Sequence, residues 1–165
     1  MTTTPSTAHS NWRLNSRHGE LPLWNWLIDV ADSTITRPSM VNTVTTTAKS
    51  AIAGLLAHAP ALSAISNPTI NSYKRFGPDT LAPWLIDWGL DNRSAMIRIP
   101  PERGRASRLE LRLGDATANP YLIIGGLLSA ALLGIEDKLE PPDPLEGYGY
   151  DPKKAALVPG DLGSA

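Results

Sequence analysis

The segment Arg108–Leu113 alternates charged and apolar residues at every position, and this constrains the local fold more tightly than any other stretch of the chain. A period of two places successive side chains on opposite faces of a strand. The three leucines therefore form one apolar face. The opposite face carries Arg108, Glu110 and Arg112. The sequence predicts a strand whose one side is buried and whose other side is strongly polar.

A second alternating segment, Ala95–Ile99, precedes this strand and has Ile97 and Ile99 on one side. We predict that it pairs antiparallel with the first strand through the loop Pro100–Ser107, within a strand-rich region from Trp84 to Leu113.

Helical patterns flank the strands. Apolar residues from Ala48 to Ala59 recur at the spacing of one helix face and stop at Pro60. A short helical turn, Ala61–Ile65, follows. Asn119 can cap a long helix that runs to Leu139, with Pro120 in its first turn. The tail from Pro141 is rich in Pro and Gly and is expected to wrap the surface or remain mobile. The chain is thus predicted to be α+β, with antiparallel strands and packed helices.

The 165 residues suffice for one domain. Residues 1–47 are rich in Thr and lack a clear period, although Leu21–Val30 is suited to one strand or helix turn. We expect a poorly specified segment over residues 1–47 and the folded domain over residues 48–165.

Composition excludes several classes of protein. The chain has no Cys, which removes disulfides, thiolate metal sites and thiol nucleophiles. His9, His18 and His58 show no metal-ligand spacing. No secretory signal is visible in the first twenty residues, so we expect the cytoplasm. The uncharged stretch Ala116–Ile135 has too short an apolar part for a membrane span and is expected to be a core helix.

The net charge of -1 argues against bulk-charge binding to nucleic acid or a membrane, but it hides an uneven distribution. Lys74 to Arg112 holds eight basic and five acidic residues, and seven of the eight are Arg. Guanidinium groups bind carboxylates and phosphates bidentately, so an anionic ligand is the candidate. Glu110 either neutralises the flanking arginines or points with them into a polar site, where its carboxylate would suit Mg²⁺ or Mn²⁺.

Five motifs occur in order along the chain and resemble the C-terminal part of the glutamine synthetase family. They are Asn67–Phe76, Trp88–Ser94, Arg98–Pro100, Arg108–Arg112 and Ala118–Leu122. The resemblance covers roughly Ala48 to Leu145 and implies an incomplete C-terminal portion of that family's catalytic domain.

The resemblance implies an ATP-dependent ligase of nitrogen metabolism that phosphorylates the side-chain carboxylate of glutamate and joins ammonia or an amine to it, with Mg²⁺ or Mn²⁺ at the phosphates. Arg75 and Arg112 match the arginines that hold glutamate. Arg93, Arg98 and Arg108 match those that bind nucleotide phosphates, with Arg93 also the predicted catalytic residue. Glu110 matches a metal-ligating glutamate. The family forms homo-oligomers, and neither nucleic acid nor a membrane is expected as a partner.

Two departures from the family pattern bear on activity. Ammonia-using members usually carry a glutamate two residues before the proline that ends the flap, where this chain has Leu81. Relatives that use polyamines or other amines tend to lack that acid, which favours an amine ligase. The metal ligands and nucleotide residues that precede the helix at Ala48 in the family have no counterpart in residues 1–47. A truncated ligase is therefore the first hypothesis.

Two alternatives remain open. One is a catalytically inactive remnant that binds an anion or nucleotide, or docks into a family oligomer. The other is a small phosphate- or nucleic-acid-binding domain, against which the lack of Lys runs and interleaved aromatic residues argues.

Overall fold

The computed structural model describes residues 26–28 and 44–165. Within them the chain forms four α-helices, four short strands and one 3₁₀ turn. The helices are α1 (Thr46–Ala57), α2 (Ala59–Ser66), α3 (Ile70–Tyr73) and α4 (Pro120–Glu136). The strands are β1 (Trp26–Ile28), β2 (Trp88–Leu90), β3 (Ile97–Ile99) and β4 (Leu109–Leu111), and the 3₁₀ turn is Gly104–Ala106. The predicted α+β class is confirmed.

The predicted antiparallel pair lies at the centre of the sheet, whose order is β1-β4-β3-β2. Ile97 pairs with Leu111, and Arg98 pairs with Glu110. β1 pairs antiparallel with the other edge of β4. It lies inside the segment Leu21–Val30, for which one strand or helix turn was predicted; the rest of that segment falls outside the described residues.

The sheet is mixed, because a parallel strand accompanies the predicted antiparallel strands. β2 runs parallel to β3, with Trp88 opposite Ile97 and Leu90 opposite Ile99. Neighbouring parallel strands usually need a long crossover connection. Here each strand has only three residues, so the chain has a short distance to run back from the end of β2 to the start of β3. The segment between the two strands is long enough to span this distance.

The apolar stripe predicted from Ala48 to Ala59 is buried along its length. Its helix ends earlier than expected, because α1 stops at Ala57 and Pro60 lies in the first turn of α2. Proline lacks an N–H, which the first turn of a helix does not need. No single helix among the described residues is long and apolar enough to cross a membrane, although α1 and α2 together reach that length across a 70° bend.

Helices α1 and α4 contact each other through glycines. A Cβ atom built on Gly54 would lie 2.2 Å from the Ala130 carbonyl oxygen, and one built on Gly134 would lie 2.2 Å from that of Ser50. The two backbones therefore touch without side chains between them. Asn119 caps α4 as predicted, its Oδ1 accepting a hydrogen bond from the Tyr121 N–H at 2.9 Å. The apolar faces of the helices and of β3 and β4 form one core.

The tail after Pro141 wraps the sheet edge, one of the two behaviours predicted for it. The Trp88 indole Nε1 donates to the Pro142 carbonyl at 2.7 Å, and the Leu145 N–H donates to the Trp88 carbonyl at 2.7 Å. Farther along, the Val158 N–H donates to the Trp84 carbonyl at 2.9 Å. Trp88 is buried. The tail thereby forms one wall beside the charged face of the sheet.

Candidate functional site

The charged face of β3 and β4 is built around Glu110. Its carboxylate is buried and receives two guanidinium groups: Arg98 Nη1 lies 2.9 Å from Oε2, and Arg108 Nε lies 2.9 Å from Oε1. Arg98 comes from the adjacent strand, directly opposite Glu110 in the sheet register. Because the leucine face of β4 is packed into the core, all three charged groups are held on the opposite side.

Two further acids extend this network outward. Arg98 also donates to Asp91, and Arg108 Nη1 lies 3.2 Å from Glu102 Oε2. Burial opposes the charge on Arg98, but its bonds to Asp91 and Glu110 outweigh burial and raise the pKa of the guanidinium. Arg98 and Arg108 are therefore fixed in place by acids on two sides.

Arg112 lies on the same face, but its hydrogen-bond partners differ from those of Arg98 and Arg108. Its Nη2 donates to the Leu81 carbonyl at 2.8 Å, and its Nη1 donates to the Ala95 carbonyl at 3.3 Å. It forms no ion pair with a residue in the described part of the chain. Burial lowers the pKa of Arg112, and although Tyr150 opposes this shift more strongly than the charge of Arg98 adds to it, the pKa remains below its ordinary value. A half-buried cation among carbonyls is a favourable place for a carboxylate ligand.

Arg75 follows α3 and reaches the end of β4, where its Nη2 donates to the carbonyls of Leu113 and Gly114. Its Nε is buried and has no hydrogen-bond partner within the described structure. Burial lowers the pKa of Arg75, and the nearby Asp115 only partly opposes this. Arg75 donates to the carbonyl of Leu113, the residue that follows Arg112, so the structure brings these two predicted glutamate-binding residues into one region.

Arg93 stands apart from this network at the rim of an open cleft of about 890 Å³. It is exposed and makes no ion pair with any residue that the structure describes. Arg98 lines the same cleft, as do Asp91, Glu102 and Glu146. The tail closes one side, where Asn92 Nδ2 donates to the Gly147 carbonyl at 3.0 Å. The cleft thus joins an unpaired guanidinium to the Glu110 network.

The loop around Leu81 lies against Arg112 and has unusual backbone geometry. Asp79 and Leu81 have φ values of 60° and 61°, in the left-handed region that side chains disfavour. The Leu81 side chain is 72% exposed although it is apolar. Its carbonyl, in contrast, is fixed by Arg112. This loop carries the residue that departs from the acidic pattern of the ammonia-using relatives.

A divalent metal is the cofactor that the sequence resemblance implies, and Glu110 is the predicted ligand. Both of its oxygens are engaged by arginines. Between residues 44 and 165, no three His, Asp or Glu side chains stand close enough together to hold a metal ion. These residues alone do not form a metal site. His58 is the C-cap of α1, with its Nδ1 2.9 Å from the Gly54 carbonyl oxygen, while His9 and His18 lie outside the described residues.

Three acids have structural partners that the sequence did not indicate: Asp91 and Glu102 at the site, and the buried Asp87. From the sequence, Asp91 and Glu102 contributed only to the charge balance of the segment from Lys74 to Arg112. The parallel pairing of β2, which brings Asp91 to Arg98, was not predicted. Asp87 is buried, accepts a hydrogen bond from the Met96 N–H at 2.9 Å and leaves Oδ2 unpartnered among the described residues. The position of Asp87 directly before Trp88 at the start of β2 is the signal that could have drawn attention to it.

Known proteins share this fold and these motifs. The family model for the glutamine synthetase catalytic domain matches residues 26–165, a match that includes β1. A solved structure of a GmaS/ADP complex superposes with a TM-score of 0.68 at 35% sequence identity, covering 79% of this chain and 31% of that one.

Two curated relatives show how much of a whole protein is present. Glutamine synthetase from Thermotoga maritima is 54% identical over 99 residues, which are 60% of this chain and 23% of that protein. Glutamine synthetase from Thermococcus kodakarensis is 46% identical over 121 residues, which are 69% of this chain and 27% of that protein. The chain therefore spans about a quarter of the length of these relatives. The family match covers most of the chain, and the chain belongs to the glutamine synthetase family.

Proposed function

We propose that the chain supplies the arginine-lined part of an ATP-dependent ligase site, which joins ammonia or an amine to the side-chain carboxylate of glutamate through a γ-glutamyl phosphate. The observation that carries this proposal is Arg112, a half-buried guanidinium that, among the described residues, donates to backbone carbonyls and forms no ion pair beside the Glu110 network. A cation in such a place favours an anionic substrate.

Arg75 and Arg112 would bind the carboxylates of glutamate. Both are held by backbone carbonyls, so their side chains are positioned before the ligand arrives. Within the described residues neither forms an ion pair, although Asp115 lies near Arg75, and binding a carboxylate would compensate the burial that lowers the pKa of each.

Arg93, Arg98 and Arg108 would bind the nucleotide phosphates. Arg98 and Arg108 are fixed by Glu110, which makes them rigid donors for non-bridging oxygens. Arg93 is exposed at the cleft and free to approach the transferring phosphoryl group, which supports its assignment as the catalytic residue. The similar GmaS structure is an ADP complex, which supports a nucleotide as a ligand of the whole family protein.

The divalent ion, Mg²⁺ or Mn²⁺, would neutralise phosphate charge when bound. Glu110 would supply one carboxylate ligand, and the remaining ligands would come from protein outside the described residues. We therefore propose that activity belongs to a longer or assembled family protein, with the chain acting as a truncated ligase. Cytoplasm and a homo-oligomer of the full-length protein remain our predictions, as does a boundary at residues 47 and 48.

The second substrate is proposed to be an organic amine, a polyamine among the candidates. Leu81 lies in the loop that Arg112 holds, and a leucine side chain cannot accept a proton from ammonium. An exposed apolar group at this point suits the alkyl part of an amine better than ammonium itself.

A non-catalytic role is the second candidate. The ion pairs of Glu110 and the lack of a metal-ligand group in the described part of the chain both favour it. In that case the same arginines would bind a nucleotide or anion without turnover.

Calorimetric titration of the chain with ATP and Mg²⁺ tests the proposal. We expect weak binding, with a Kd of about 1 mM, because only part of the site is present. Arg93→Gln should weaken it several-fold, while Arg105→Gln, an exposed arginine of the 3₁₀ turn outside the cleft, should not. Equal loss in both variants, or no binding by the unmodified chain, would contradict the assignment.

A further inference from the structure

The buried carboxyl group of Asp87 has one oxygen that no residue in the described part of the chain binds. The residue is 5% exposed. Its Oδ1 accepts the Met96 N–H at 2.9 Å, whereas its Oδ2 has no hydrogen-bond partner among the described residues. Between residues 44 and 165 Asp87 also forms no ion pair. A buried acid without a counter-ion is costly for the fold, and such acids are concentrated at functional sites.

Strand alternation turns Asp87 toward the charged face of the sheet. Its two neighbours, Ile86 and Trp88, both pack against the apolar core. Successive side chains of a strand point to opposite faces, so the Asp87 side chain lies on the other side of the sheet. Arg98 and Glu110 are paired on that side. The free oxygen of Asp87 therefore belongs to the same face as the proposed ligase site.

Asp87 and Arg112 lie on either side of Met96. The Met96 N–H donates to Asp87, and the Met96 carbonyl accepts the Arg112 N–H at 2.9 Å. Two strand spacings separate the backbones of Asp87 and Arg112, which is about 10 Å. Arg112 also donates to the Leu81 carbonyl at 2.8 Å. A ligand at Asp87 would thus lie beside the Leu81 loop and beside the carboxylate that Arg112 is proposed to bind.

Part of the tail, residues 145–156, begins and ends next to Asp87, and we call it the strap. At its start the Leu145 N–H donates to the Trp88 carbonyl at 2.7 Å. At its end the Ala156 carbonyl accepts the Ile86 N–H at 2.7 Å. Since these two contacts flank Asp87 in the sequence, the strap is the segment that has to open before a ligand reaches Oδ2.

Tyr150 lies midway along the strap and is 7% exposed. Its hydroxyl group has no hydrogen-bond partner within the described structure. Its ring contacts that of Tyr148, whose hydroxyl donates to Asp79 in the Leu81 loop at 3.3 Å. Lys154 Nζ, a cation of the same strap, donates to the Tyr148 carbonyl at 3.1 Å and forms no ion pair with Asp87. The strap therefore brings a second unsatisfied oxygen and leaves the acid without a partner.

We propose that Asp87 binds a primary ammonium group, that of the amine substrate, with the Tyr150 hydroxyl as a second acceptor. This inference rests on the proposed ligase function, because the amine has to approach the glutamate side chain that Arg112 would bind. A primary ammonium group carries a positive charge for the carboxylate and three N–H donors, so it satisfies both unpartnered oxygens at once.

Titration of the full 165-residue chain with methylammonium chloride at pH 8 tests this proposal, with the Met96 backbone amide followed by heteronuclear NMR. Asp87 is charged at this pH, because burial raises its pKa only to about 6. We expect a saturable shift of the Met96 signal. Tetramethylammonium chloride, which has the same charge and no N–H donor, should give none.

Three variants locate the binding. Asp87→Asn keeps the acceptor for Met96 and removes the charge, so it should weaken methylammonium binding about ten-fold. Tyr150→Phe removes one acceptor and should weaken it about three-fold. Asp143→Asn, an exposed acid of the tail that lies before the strap, is the matched control and should leave binding unchanged.

Equal shifts with both cations, or a shift that Asp87→Asn retains, would overturn the proposal. So would the absence of any shift, which would mean that only water occupies the site. The comparison of the two cations on the unmodified chain stays decisive if Asp87→Asn fails to fold.

Glutamate also carries an ammonium group, and its analogue glutarate does not. A Met96 shift with glutamate but with neither glutarate nor methylammonium would overturn the assignment to the amine. Binding of ATP without binding of methylammonium would contradict this inference alone. Binding of methylammonium by a chain that does not bind ATP would support the role of Asp87 and contradict the proposed function.

Discussion

Arg98 and Glu110 face each other across β3 and β4, with Nη1 of the arginine 2.9 Å from Oε2 of the glutamate and both side chains largely buried. This pair fixes the charged face of the sheet, because Glu110 also holds Arg108. The same residues that order the sheet are those proposed to bind phosphate.

Replacing Glu110 by Gln tests how much this pair stabilises the fold. The substitution leaves two arginines near each other without their shared carboxylate. Breaking a buried ion pair in this way costs about 3 kcal/mol of unfolding free energy, measured by urea denaturation at pH 7. Glu102→Gln is the control, since the Glu102 side chain is 50% exposed and its pair with Arg108 should contribute under about 1 kcal/mol. Equal effects of the two changes would argue against a central role for Glu110.

Because α1 and α4 are in backbone contact, adding one methyl group at Gly54 is expected to lower the stability of the fold substantially. Gly54→Ala places a Cβ atom 2.2 Å from the Ala130 carbonyl oxygen, so the helices must separate. We expect a loss of about 2–3 kcal/mol in thermal or urea unfolding. Gly160→Ala, where a Cβ meets nothing within 4 Å, should change stability by less than about 1 kcal/mol. A tolerated Gly54→Ala would show that the helices are not in backbone contact.

The buried carboxyl group of Asp87 is expected to make the stability of the fold depend on pH. Burial raises the pKa of its carboxyl to about 6, against opposing contributions from the Met96 N–H and Lys154. The folded state therefore binds this proton more tightly than the unfolded state, whose pKa is near 3.8. The resulting stabilisation is full below the unfolded value and is lost as the pH rises through about 6.

The measurement compares the wild-type chain with Asp87→Asn by urea unfolding at pH 4.5 and pH 7. Asparagine keeps the acceptor for Met96 and does not titrate. We expect the stability of the wild type relative to the variant to fall by about 2 kcal/mol between the two pH values. The same difference at both would mean that Asp87 has an ordinary pKa.

The strained loop offers a stabilising change. Leu81 has a φ of 61° and an exposed side chain, so Leu81→Gly removes the steric cost without opening a cavity. We expect a gain of up to about 1 kcal/mol, since Arg112 still binds the carbonyl. Leu162→Gly, an exposed leucine of the tail, should bring no such gain. Destabilisation by Leu81→Gly would imply that the side chain packs in solution.

Periodicity predicted the elements that bury a regular face. The stripe that starts at Ala48, the helix capped by Asn119 and the leucine face of β4 follow from local spacing, and all are present. The ion-pair partners of the charged residues could not be predicted from spacing along the sequence. Glu110 neutralises Arg108 as one alternative had it, but its second partner is Arg98 from the next strand and not the flanking Arg112. Such pairings depend on register between strands, which alternation along one strand does not specify.

The parallel direction of β2 could not be predicted for the same reason. Its three residues are too few for a pattern, and its hydrogen bond from the Leu145 N–H to the Trp88 carbonyl joins segments that are far apart in the sequence. The site residues were found through the family motifs, while the acids that hold them, Asp91 and Glu102, became visible only in three dimensions.

The most direct test of the account is the release of phosphate from ATP by the 165-residue chain, measured with Mg²⁺ and glutamate and with ammonia or a panel of amines. Within its described residues the chain carries the arginine side of the site and too few metal ligands to complete it. We therefore predict detectable binding of ATP with no glutamate-dependent phosphate release above the background without protein. Sustained release that requires both glutamate and an amine would contradict it, and would place a complete ligase site within this chain.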